Sequence, residues 1–108
     1  MALNEDFVKE VLEKLVHIPE LRSKRMFGGL GIFSGDTMFA KVGGEKLWFR
    51  VDETNAPDFE AHGMKPFHSE KKGKGMPYWE VPAKIYSQPT DFRSWSTKAL
   101  EVALKHKK

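Results

Sequence analysis

The sequence predicts an α+β fold in the order α-β-β-β-α-β-β-α, with an antiparallel sheet packed by the terminal helices. Three observations carry this. Apolar residues recur with a helical period near both ends of the chain, and the period switches to two between residues 25 and 51. The connections between the central runs are also too short for parallel crossovers. At 108 residues the chain has the size of a single domain, read as spanning 1–108. Eight Phe and three Trp supply a core that a disordered chain would lack.

Each element has a local reason. In the first helix, Phe7, Val8, Val11, Leu12, Leu15 and Val16 line one face. Asn4 or Asp6 can cap its first amides, and Pro19 stops it. Residues 20–24 read as a loop. Three strands follow at 26–33, 37–42 and 46–51, separated by the turn sequences Ser34-Gly35-Asp36 and Gly43-Gly44. The second helix is expected over 56–62. Asn55 and Asp58 resemble a capping box, Pro57 sits in the first turn, and Gly63 closes the end. Two short strands at 66–68 and 77–81 flank a basic loop. The last helix opens at Pro89, with Phe92, Trp95, Ala99, Val102 and Ala103 on one face.

Composition narrows the chemistry. The sequence has no Cys, which excludes a disulfide scaffold, a thiolate metal site and a thiol nucleophile. No basic-then-apolar leader opens the chain, and no apolar run approaches the roughly 20 residues of a membrane span. A cytoplasmic protein without membrane contact is therefore expected. The net charge of +3 is mild for a nucleic-acid-wrapping protein.

No motif carries catalysis. Gly28, Gly29, Leu30 and Gly31 look like a phosphate cradle, but Ser34 stands where a dinucleotide fingerprint needs glycine, and a strand follows instead of a helix. Ser69 and Lys72 match the S-x-x-K spacing of serine acyl-enzymes without its companion motifs. His17, His62, His68 and His106 lack the spacing that puts two metal ligands on one helix face, and His17 and His62 sit near helix C-termini, where an imidazolium is favourable. His106 falls in a frayed tail, and Asp52 with Glu53 reads as a turn and cap. No catalytic residue, metal or cofactor is assigned. Lys71, Lys72, Lys74, Lys105, Lys107 and Lys108 could attract nucleic acid weakly and without sequence preference, since no reading motif accompanies them.

An ordered set of motifs then stands out. Arg25-Met26-Phe27-Gly28-Gly29-x-Gly31 is followed by Met38-Phe39-Ala40, then Val51-Asp52-Glu53 with Asn55, Asp58-Phe59 and Gly63. Pro66-Phe67, Tyr78-Trp79-Glu80-Val81-Pro82 and Trp95 complete it. This set resembles the N-terminal domain of the TfoX/Sxy family over nearly the whole chain. The resemblance implies a fold similar to secretion chaperones, with no enzymatic activity and no metal. It also implies kinship with regulators of natural competence that act on transcription together with the cyclic-AMP receptor protein. Two-domain members carry a second, helical domain, so this chain reads as a stand-alone N-terminal domain.

Strand register gives the candidate interface. A turn at Gly43-Gly44 would pair Ala40 with Leu47 and Phe39 with Trp48. One sheet face then carries Met38, Ala40, Leu47, Phe49 and Val51 as core. The other carries Phe39 and Trp48 among Lys41, Lys46 and Arg50, and is expected to meet a protein partner or a second copy. A two-residue turn at Gly35-Asp36 would add Leu30 and Ile32 to this second face. The competing reading is a small ligand-binding or enzymatic domain that uses the strand from Gly28 to Gly31 and the loop from Ser69 to Lys74.

Overall fold

The computed structural model describes residues 4–26, 29–64, 66–69 and 74–106, and the side chains of all these but 26, 66–69 and 74–77. The elements run α1 (Glu5–Lys14), β1 (Leu21–Met26), β2 (Gly29–Ser34), β3 (Thr37–Gly43), β4 (Lys46–Arg50), α2 (Ala56–Glu60), β5 (Pro66–Ser69), β6 (Lys74–Glu80), α3 (Ala83–Tyr86) and α4 (Pro89–Lys105). The strands form one six-stranded sheet in the order β1-β2-β3-β4-β6-β5. Every pairing is antiparallel. The α+β class and the helix-packed antiparallel sheet are as the sequence predicts.

The element order needs two corrections. Residues 21–26 form an edge strand where the sequence predicts a loop over 20–24 and a strand only from 26, so the meander has four strands, not three. Arg22, Ser23, Lys24 and Arg25 are all exposed, so they lack the apolar alternation that marks a half-buried strand. Charged edges of this kind also discourage pairing with other chains. The second correction is α3, a single turn after Pro82 that buries Ile85.

The caps follow elementary chemistry. Asn4 Oδ1 accepts from Phe7 N at 3.0 Å, and Glu5 and Asp6 occupy the first turn of α1, where the dipole favours them. Val8, Val11 and Leu15 are buried, but Val16 is 75% exposed, because the helix has ended at Lys14 and the face no longer continues. Asn55 makes no capping bond to α2. Its side chain instead accepts from Asp52 N (2.8 Å) and donates to Arg50 O (3.1 Å), which braces the turn out of β4.

A bulge sets the core face of β3. The turn at Gly35-Asp36 pairs Ser34 with Thr37 and Phe33 with Met38. Ile32 then pairs with Ala40, so Phe39 is an extra residue in β3. Phe39 and Ala40 are consequently both fully buried, on either side of the break in alternation. Leu30 and Ile32 face the core although the turn has two residues, because the bulge restores their partners to Val42 and Ala40.

The second hairpin turns at Gly44-Glu45, one residue later than the sequence suggests. The pairs are Ala40 with Phe49, Lys41 with Trp48, Val42 with Leu47 and Gly43 with Lys46. Gly44 has φ of +60° at the first turn position, which a type II′ turn reserves for glycine. The register moves by two residues, so the two faces keep their composition except for Phe39.

The described helix contacts converge on the face of Ala40, Val42, Leu47 and Phe49. Phe92 of α4 meets Phe49 with ring centroids 5.6 Å apart. Tyr86 of α3 joins Phe92 (5.5 Å), and Phe7 of α1 joins Tyr86 (5.6 Å). Phe59 of α2 bridges Trp79 on β6 (6.0 Å) and Trp95 on α4 (4.6 Å). His17 Nε2 and Ser96 Oγ, 2.9 Å apart, tie the end of α1 to α4. The imidazolium expected at this helix end is disfavoured: burial and the charge of Arg93 lower the pKa of His17, against a hydrogen bond with the Lys14 backbone.

Candidate partner interface on the second sheet face

With the helices on one side, alternation dictates what the other side carries. Arg22, Lys24, Gly31, Phe33, Met38, Lys41, Gly43, Lys46, Trp48, Arg50, Tyr78 and Glu80 share this second face. One cross-strand row runs through Lys24, Gly31, Lys41, Trp48 and Glu80. Four of the five residues expected here from the sequence are therefore brought together: Lys41, Lys46, Trp48 and Arg50. The fifth, Phe39, is not, because the bulge turns it into the core at 0% exposure.

The geometry of the face is specific. Trp48 is half-buried and lies beside Gly43, and the Lys41 ammonium sits over its ring, 5.4 Å from the centroid. Burial lowers the pKa of Lys41, since the ammonium is partly withdrawn from water. Lys46 Nζ lies 3.8 Å from Glu80 Oε1 across the strand pair. Arg50 pairs with Tyr78 and places its guanidinium 5.8 Å from that ring's centroid. Burial raises the Tyr78 phenol pKa, while the Arg50 hydrogen bond and charge oppose the rise. Arg50 Nε is buried with no hydrogen-bond acceptor among the described residues.

Among the described residues, no three His, Asp or Glu side chains converge on a point that could hold a metal. A cleft of about 340 Å³ between α2 and α4 is lined by Asn55, Asp58, Phe59, Ser94, Trp95 and Lys98, on the helical side of the sheet. Several other residues singled out in the sequence, Gly28, Lys71, Lys72, Lys107 and Lys108, lie outside the described residues. Lys74 is described in its backbone alone.

One site was not legible as such. Asp52, read as part of a turn and cap, has a side chain only 7% exposed that gathers partners from its own turn and from the end of α4. Thr54 donates from its amide (2.8 Å) and hydroxyl (2.5 Å). Lys105 Nζ and His106 Nε2 both lie 2.9 Å from Asp52 Oδ2. Burial would raise the Asp52 pKa, but these hydrogen bonds outweigh it and hold the carboxyl well below its usual range. The end of α4, expected to fray, is thus fastened to the turn after β4. Asp52 next to Thr54 was the only local signal, and nothing in the sequence pairs it with residues more than fifty positions away.

The motifs that resemble a known family now have places in the fold. Gly29 and Gly31 of the glycine-bearing run lie on β2, Met38-Phe39-Ala40 holds the bulge, and Tyr78-Trp79-Glu80 belongs to the strand that pairs with β4. No curated protein matches the chain. The family model described as the TfoX N-terminal domain matches residues 13–103, from the last turn of α1 through most of α4. The chain belongs to the TfoX N-terminal domain family.

Proposed function

We propose that this chain is a non-catalytic, intracellular interaction module that takes part in transcription regulation by holding a protein partner on the second face of its sheet. The observation that carries this reading is the division of the sheet. All described helix contacts go to one face, while the other presents Phe33, Met38 and Trp48 among Arg22, Lys24, Lys41, Lys46 and Arg50. Apolar and aromatic groups ringed by basic side chains have the composition of an interface core with its rim. The family is not a known enzyme family, which agrees with a binding role. No helix among the described residues is long and apolar enough to cross a membrane. Contact with nucleic acid is confined in this reading to weak, salt-sensitive attraction from surface lysines.

Site-specific photo-crosslinking tests it. A photoreactive amino acid replaces Lys46 on the second face or, as a control, Glu101 on the exposed side of α4. Irradiation in cells that make the protein should give a protein adduct from position 46 and none from position 101. Adducts from both positions alike, adducts to nucleic acid, or no adduct from position 46 would refute the reading.

A further inference from the structure

We infer that the partner docks through an acidic segment that also carries apolar side chains, and that the second sheet face does not pair with its own copy. The inference rests on the reading above and names the chemistry of its partner. Charge on the face is one-sided. Arg22, Lys24, Lys41, Lys46 and Arg50 stand against Glu80, the one carboxylate that the register places there among the described strand residues. Glu80 is already within reach of Lys46.

Symmetry argues against self-pairing. A twofold dimer lays the same patch on itself, so a surface dominated by cations would meet a surface dominated by cations. Like charges brought together and desolvated oppose association. A segment bearing carboxylates reverses each term. It would meet Lys24 and Lys41 at either side of Gly31, where the row has no side chain. Its apolar groups would rest on Phe33, Met38 and Trp48.

Single-stranded nucleic acid is the other polyanion to weigh. Base stacking needs ring faces open to the bases. Here Tyr78 is 6% exposed, and the Trp48 ring abuts Gly43 and carries the Lys41 ammonium. Neither Tyr78 nor Trp48 is an open stacking platform, and the cations of the face suit carboxylates.

The test is a titration of the full chain with three fluorescent probes: a Glu-rich peptide with interspersed Leu and Phe, the same peptide with Lys for Glu, and a polythymidine oligonucleotide. The Glu-rich probe should bind at least about tenfold more tightly than either of the others, and more weakly as salt rises. The paired substitution Lys24→Glu and Lys46→Glu changes two exposed side chains, and circular dichroism should show the fold retained. That variant should lose at least about tenfold in affinity for the Glu-rich probe. Sedimentation of the unmodified chain should show a monomer. Equal binding of the two peptides, tighter binding of the oligonucleotide, an unchanged affinity in the paired variant, or a dimer broken by Trp48→Ala would each overturn the inference. If position 46 still crosslinks to a protein, only the acidic character of the partner is wrong. If it does not, the parent reading has failed.

Discussion

Trp48 lies against Gly43: a methyl group on Gly43 would stand 3.2 Å from Trp48 Cζ3 and 3.5 Å from its Cη2. The missing side chain at position 43 lets the indole lie along the second sheet face instead of standing off it. Gly43→Ala should therefore move the ring, whose tip is the flexible end of the side chain, without a large cost. Alanine also suits a strand better than glycine, by roughly 0.5–1 kcal/mol. We expect stability within about 1 kcal/mol of wild type and an altered Trp48 emission, read as the difference from a Trp48→Phe background. Loss of about 2 kcal/mol or more, or an unmoved emission, would contradict this packing.

Phe39 should behave as core. It is fully buried by the β3 bulge, and truncation would leave a cavity between sheet and helices. Phe39→Ala should cost about 3–5 kcal/mol in urea unfolding. A cost under about 1.5 kcal/mol would place Phe39 on the second face after all.

The Asp52 clasp has a pH signature. Its folded pKa is lowered, so the unfolded chain takes up the proton first as pH falls. The clasp's contribution is then complete above the unfolded value of about 4 and declines below it, through the folded value. Asp52→Asn should cost roughly 1–2 kcal/mol at neutral pH, discounted because Lys105 and His106 are half-exposed. The gap between wild type and variant should narrow on acidification below pH about 4 in paired urea melts. A gap that stays constant down to strongly acidic pH would show that the Asp52 carboxylate plays no part.

How much of this could be read in advance follows from where each signal lives. Periodicity reveals elements with one buried face, so α1, β3, β4 and α4 were legible. β1 was not, because an exposed edge strand such as Leu21–Met26 needs no apolar alternation. The faces of β3 and β4 could be assigned because side-chain direction has period two, and a register moved by two residues leaves parity intact. Phe39 escaped that logic because a bulge breaks parity without any residue that announces it. Asn55 carried a capping signature and spends its side chain on Asp52 and Arg50 instead, a choice that depends on the path of the chain out of β4. The partners of Asp52 are set by tertiary packing at the end of α4, beyond the reach of local pattern.

The central claim is that Trp48 serves association rather than the fold, and one paired measurement on Trp48→Ala tests it most directly. Urea unfolding gives the cost to the monomer, and the crosslinking yield from position 46 in the same background gives the cost to the partner. A half-buried residue on a face with no helix contact among the described residues should lose less than about 1.5 kcal/mol, while the protein adduct disappears. A loss of about 3 kcal/mol or more, or an adduct formed at the wild-type yield, would contradict the account.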